Sequence, residues 1–356
     1  MTQRERQILQ WIEQDPMISQ EALAEKAGIT RSSVAVHISN LIKKGYIIGK
    51  GYVLRSGTYA AVVGGVNMDI GGQSDGPLVP GDSNPGRVRI SLGGVGRNIA
   101  HNMALLGLDV RFLTAFGDDL YAQRIAASCG ELGIDISQAL RVPGGSTSTY
   151  LYLNGPDGDM ALAVSDMDIC RKMTPQFLAS RLTLLKGAQL IVADANLPAE
   201  SLRFLADHGA APLFVDPVST VKAEKLRPIL GKIHTLKPNR MEAELLSGVA
   251  ITNEESLRQA AQVLLDTGLR RVFISLGSRG LFAADHRESL LLPCRPAAPV
   301  NATGAGDAFM AGAYLEGTDL RGTALAGASA GAIAIEGSET INPALSPEVL
   351  RARMDR

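Results

Sequence analysis

Five short apolar runs, each ending abruptly in polar residues, constrain the fold of this 356-residue chain more than any other feature. Residues 59–66 lead to Asn67 and Asp69, residues 190–193 to Asp194, and residues 213–215 to Asp216. Residues 233–236 lead to Lys237, and residues 271–276 to a glycine turn at Gly277. Runs that are largely apolar without alternation suit strands buried on both faces, and the segments between them read as helices. The alternation predicts an α/β, doubly wound sheet. In such sheets ligands bind beyond the carboxyl ends of the strands, so Asn67 and Asp69 fall where a substrate belongs. Asp69 can accept two hydrogen bonds from vicinal hydroxyls, the polar handle of a ribose.

Two glycine turns each open a helix. The first is Gly93-Gly94-Val95-Gly96-Arg97-Asn98. Its glycines permit close backbone approach, and Asn98 offers a donor and an acceptor to a hydroxyl. The second is Asn301-Ala302-Thr303-Gly304-Ala305-Gly306-Asp307. Free N–H groups at the start of a helix favour an anion such as a phosphate. Asp307 stands beside those amides, where a carboxylate needs a task, and taking the proton of an attacking hydroxyl is the obvious one. A bare G-x-G-D is equally a loop-to-helix turn whose acid complements the helix dipole.

Residues 71–91 are rich in Gly, Pro, Asp and Ser and end in an alternating stretch at 86–90. Residues 147–153, which include Thr149, and 160–164 also read as strands, turning at 154–158. Together, segments 71–91 and 147–165 predict a small β lid over the substrate. Such a lid excludes water, a competing phosphoryl acceptor.

The formal net charge is −1, which gives the chain as a whole no polyanion-binding character. Residues 1–55 nevertheless carry eight Lys and Arg against five acids, a net +3 that leaves −4 for the remainder. Helical spacing of Ile8, Leu9, Trp11 and Ile12, a helix capped by Ser19, and a third capped by Thr30 precede a hairpin over 46–54. The third helix has Val34, Ile38, Leu41 and Ile42 on its apolar face. This order resembles a winged helix-turn-helix, with Arg31, Ser32, Ser33 and His37 facing outward toward DNA and Lys43, Lys44 and Lys50 on phosphates. The bland alternative is a small dimerisation module. Three scattered cysteines suit a reducing cytoplasm, and neither a signal core nor a membrane span is expected.

The string from Thr303 to Gly312 resembles the G-A-G-D signature of the ribokinase-like (PfkB) kinases, with Asn301-Ala302 where that family often has Asp-Thr. Gly93, Gly94 and Asn98 match its G-G-x-x-x-N signature, and Asn239 and Glu242 its N-x-x-E motif. The resemblance spans about residues 60–350 and implies a kinase domain over 58–356 behind the 1–55 unit. It implies Asp307 as general base, with Gly304, Ala305 and Gly306 stabilising the transferred group. It implies substrate contacts from Asn67, Asp69, Gly93, Gly94, Asn98 and Thr149, and ATP contacts from Asn239, Gly277, Ser278, Gly280 and Thr303. Mg2+ would be held through water by Glu242, although that acid could simply favour its helix start. K+ would be held near Asn301 and Thr303, facing the loop over 336–343. Within the family, strings such as Asp82-Ser83-Asn84-Pro85-Gly86 and the Asn301-Ala302 form resemble bacterial pseudouridine kinases, which implies phosphorylation of a C-nucleoside 5′-hydroxyl. Another nucleoside such as inosine or guanosine, a sugar, or a DNA-binding ligand sensor are the alternatives. A homodimer is expected.

Overall fold

The computed structural model describes residues 2–15, 18–49, 53–54, 59–295, 297–315 and 319–355. The chain divides into two compact units, Met1–Thr58 and Tyr59–Arg356.

In the first unit, helices Gln3–Gln14, Gln20–Ala27 and Arg31–Lys43 precede strands β1 (Ile47–Gly49) and β2 (Val53–Leu54), which pair antiparallel. Thr2, Ser19 and Thr30 cap the three helices with side-chain oxygens. Ile8, Ile12, Leu23, Val34, Ile38 and Leu41 form the core. Ile42, expected inward, is half exposed, because the apolar stripe of its helix closes at Leu41. Lys44, expected on a phosphate, binds the buried Glu5 carboxylate at 2.7 and 2.9 Å. That lysine, with a backbone hydrogen bond at Thr2, holds the Glu5 pKa down to about 2.

The second unit is built on an eight-stranded sheet. Its first strands are β3 (Tyr59–Val63) and, after a two-stranded excursion, β6 (Asp109–Leu113). The excursion is β4 (Asn67–Ser74) and β5 (Gly86–Gly93). A short parallel pair, β7 (Ala115–Phe116) and β8 (Leu140–Arg141), precedes the hairpin β9 (Thr149–Asn154) and β10 (Met160–Asp166). The sheet resumes with β11 (Leu190–Asp194), β12 (Leu213–Asp216), β13 (Thr235–Leu236) and β14 (Arg271–Ser275). It ends in β15 (Leu281–Asp285) and β16 (Ser289–Leu292). The order is β16-β15-β14-β13-β12-β11-β3-β6, parallel except at β14–β15–β16. Alternate residues of β3 enter different cores, Ala61 and Val63 one and Ala60 and Val62 the other, which explains the unbroken apolar run.

Strands β10-β9-β4-β5 form the lid. The strand expected over 59–66 ends at Val63, and β4 was not legible as a strand, since Gly71, Gly72 and Ser74 have poor strand propensity; pairing with β5 and β9 overrides it. The register places Val88, Ile90, Leu151, Leu153, Leu162 and Val164 on one lid face, all exposed. Asp69, Gly71 and Gln73 lie on the other. Helices Ala305–Leu315 and Leu320–Ile335 pack closely through Gly312, where a Cβ would stand 2.8 Å from the Ala326 carbonyl. Among the described residues no helix is long and apolar enough to cross a membrane.

Candidate active site

The site sits at the switch point of the sheet, where β3 and β11 are parallel neighbours and the chain winds away on either side. Asp194, fully buried at the end of β11, ties this point together. It accepts hydrogen bonds from the amides of Gly65 (2.8 Å), Gly96 (2.7 Å) and Asn196 (2.8 Å). The start of helix Val95–Leu105 is thereby clamped to the end of β3. Gly94, with φ +97°, turns the chain into that helix, and a Cβ there would strike the Gly65 carbonyl.

Asn98 faces inward from the first turn of this helix and donates to Asp307 Oδ2 at 3.0 Å, joining two motifs 209 residues apart. Its carboxamide oxygen accepts from the buried Arg97 guanidinium at 3.4 Å, which leaves the nitrogen for Asp307. Arg97 also reaches the Leu92 carbonyl and Ser128. Asp69 accepts from Asn67 Nδ2 at 2.6 Å and lies against Gly93, whose missing Cβ makes the room. Burial raises the Asp69 pKa, opposed by the Asn67 hydrogen bond and the Arg97 charge. Thr149 does not join this group. It pairs with Met68 rather than Asp69, so strand alternation turns it to the other face and sets Tyr150 in Asp69's row.

Asp307 is buried in the first turn of helix Ala305–Leu315. Burial, then the charge of Asp216, pushes its pKa up to about 8, while the Asn98 hydrogen bond and the Lys237 charge oppose the shift. Gly304 takes φ +85°, and a Cβ there would also enter the Thr340 carbonyl. Lys237, buried at the end of β13, brings its ammonium to 2.7 Å from where a Cβ of Gly306 would stand. The cation is therefore held beside the glycine-loop amides. Sequence reasoning noted Lys237 and Asp216 only as strand ends; neither sits in a recognisable spacing with Gly306.

A cavity of about 460 Å³ opens beside Lys237 and Gly306. Gly277, Ser278 and Gly280, which the resemblance assigns to ATP, line it. Asn239 and Thr303 do not. Asn239 and Glu242 form a reciprocal capping box, with each side chain on the other's amide at 2.9 and 2.8 Å. Thr303 donates its amide to Asn301 Oδ1 at 2.9 Å. The 336–343 loop does meet this segment: Asn301 Nδ2 reaches the Ser338 carbonyl at 3.4 Å. Glu242 is buried, and its pKa is raised by burial and then by the Asp216 charge, opposed by its Asn239 backbone hydrogen bond and by Lys237. The helix-start reading of Glu242 thus holds geometrically, while its carboxylate still feels the charges of Asp216 and Lys237. Among the described residues no group of three or more His, Cys, Asp or Glu forms a metal cluster.

In the first unit, Arg31 pairs with Glu21 at 3.1 Å on the surface, and Ser32 and Ser33 hydrogen bond the Thr30 cap at 2.9 Å. His37 is half buried, and Lys50 lies outside the described residues.

A doubly wound sheet with a β lid, and a cavity lined by a helix-opening glycine loop that carries a buried acid in its first helical turn, define a small-molecule kinase of the ribokinase-like fold. Residues 58–347 match the pfkB family carbohydrate kinase model, and the chain belongs to that family. Residues 1–48 match a winged helix-turn-helix DNA-binding model. The chain is 40% identical to the uncharacterized sugar kinase YeiI of Escherichia coli, covering 98% of both chains. It is 39% identical to the pseudouridine kinase of the same organism, covering 82% of this chain and 95% of that one. A putative sugar kinase from Clostridium perfringens superposes with a TM-score of 0.75 at 32% identity, over 84% of this chain and 96% of that one.

Proposed function

We propose that this kinase transfers the γ-phosphoryl group of ATP to the 5′-hydroxyl of pseudouridine. The observation that carries the kinase chemistry is the Asn98–Asp307 hydrogen bond beside Lys237. It joins the Gly93–Asn98 turn to the glycine loop, whose Ala305 and Gly306 line the larger cavity. The choice of pseudouridine rests on the 39% identical relative, since YeiI, equally similar, names no substrate beyond a sugar. Asn67 and Asp69 hold the ribose hydroxyls with the Gly93–Gly94 backbone, and the lid excludes water. Asp307 takes the 5′-hydroxyl proton as the oxygen attacks in line. The amides of Ala305 and Gly306, with Lys237, stabilise charge on the transferred group. Asp216 and Glu242 would hold a hydrated magnesium ion, which would neutralise charge on the ATP phosphates. The carbonyls around Asn301, Thr303 and the 336–343 loop suit K+. Gly277, Ser278 and Gly280 bind the nucleotide.

The test is ATP-dependent phosphorylation of pseudouridine, uridine, inosine, guanosine, ribose and fructose, with Mg2+ and with K+ or Na+. Clear preference for pseudouridine is expected; preference for a purine nucleoside or free sugar overturns the substrate assignment.

The N-terminal winged helix-turn-helix favours a second activity, DNA binding by a cytoplasmic homodimer. The exposed apolar face of the lid supports a dimer. At low salt a fragment of its own promoter should be retarded by a species of two chains, and Arg31→Ala with His37→Ala should abolish the shift. A monomer by light scattering, or no retardation at low salt, removes this reading.

A further inference from the structure

We propose that the inner face of the lid reads the base of the nucleoside, with Tyr152 stacking on its ring and Arg89 donating to carbonyl oxygens on its edge. The proposal rests on the nucleoside reading above and deepens it. Three rows cross the lid on the face that carries Asp69. The first is Tyr150–Asp69–Ser91, the second Tyr152–Gly71–Arg89, and the third Asn154–Gln73–Arg87. Rows on one face are two residues apart, about 7 Å along the strand. If the ribose is held at Asp69, its base reaches the second row.

That row has an unusual composition. Gly71 has no side chain, and the far end of the Tyr152 ring lies where its Cβ would stand. Tyr152 therefore lies across β4, and it lines a cavity of about 350 Å³. Tyr150 follows at 5.8 Å between ring centroids. Arg89 and Arg87 line the same cavity and are exposed. Among the described residues neither has an ion-pair or hydrogen-bond partner. Gln73, by contrast, is tied to the Gly155 carbonyl. Two unpaired guanidinium groups beside an aromatic platform suit a planar ligand rich in acceptors, because arginine only donates. A pyrimidinedione or 6-oxopurine base fits this description; a cytosine or adenine, with an amino group on the corresponding edge, fits it less well.

The test uses the full chain and compares kcat/KM for pseudouridine, uridine and cytidine with that for D-ribose, or with the inhibition constant of D-ribose where it is not turned over. Tyr152→Ala should lower the nucleoside values on the order of tenfold or more, the scale of base–aromatic stacking, with ribose changed less than about twofold. Arg89→Met should narrow the preference for uridine over cytidine. Gly71→Ala, which displaces the Tyr152 ring while adding one methyl group, should reproduce the Tyr152→Ala pattern. Equal losses for nucleosides and ribose, or no loss in either variant, overturn the base subsite and leave the kinase assignment standing. Wild-type protein that phosphorylates sugars but no nucleoside overturns the nucleoside reading itself, and the subsite with it.

Discussion

Asp307→Asn is expected to lower kcat by on the order of 10²–10⁴, with the nucleoside KM little changed, because it removes the proton acceptor and keeps the Asn98 hydrogen-bonding partner. The same substitution should stabilise the fold at neutral and higher pH. Burial and then the Asp216 charge hold the Asp307 pKa near 8 in the folded chain, against 3.8 ordinarily. The folded state therefore binds a proton that the unfolded chain has released between those values. Stability from this group is complete below about pH 4 and declines as pH rises toward 8. Asparagine carries no charge to bury, so its advantage should grow over that window to the order of a few kcal/mol. Thermal midpoints at pH 5 and pH 8 check this; equal differences at both pH values would sink it. The free enzyme's kcat/KM should rise with pH through the same region. A variant retaining near-normal kcat removes Asp307 from the role of base.

Lys237→Met should be nearly as damaging, lowering kcat by on the order of 10²–10³, the scale seen when one preorganised charge-stabilising donor is lost. It has a second signature. The Lys237 charge lowers the Asp307 pKa, so its removal should move the rising limb of the kcat/KM profile to higher pH. A lysine that only fills space would leave the profile where it is. Lys237→Arg, which restores the charge at the wrong length, should recover the pH limb better than the rate.

Much of this was readable in the chain itself. Each strand read from an apolar run recurs in the sheet, since a strand covered on both faces is largely apolar along its length. The helix caps at Ser19 and Thr30 were equally plain, because capping is decided by residues three apart. Thr149 was misread because a strand's face depends on which partner residue it pairs with, and register is not a local property. Lys44 was misread for a related reason: its partner, Glu5, lies 39 residues away.

The sequence by itself determined the alternating α/β architecture, the two glycine turns and the identity of Asn98 and Asp307 as site candidates. These follow from periodicity, backbone freedom and motif spacing, all of which act over a few residues. Only the tertiary structure decided that Asn98 touches Asp307, that Lys237 stands against Gly306, and that Tyr152 and Arg89 share a row with Gly71. The physical reason is the same in each case. A shifted pKa or a binding surface comes from groups brought together by strand order and register, and those are fixed by packing across the whole domain.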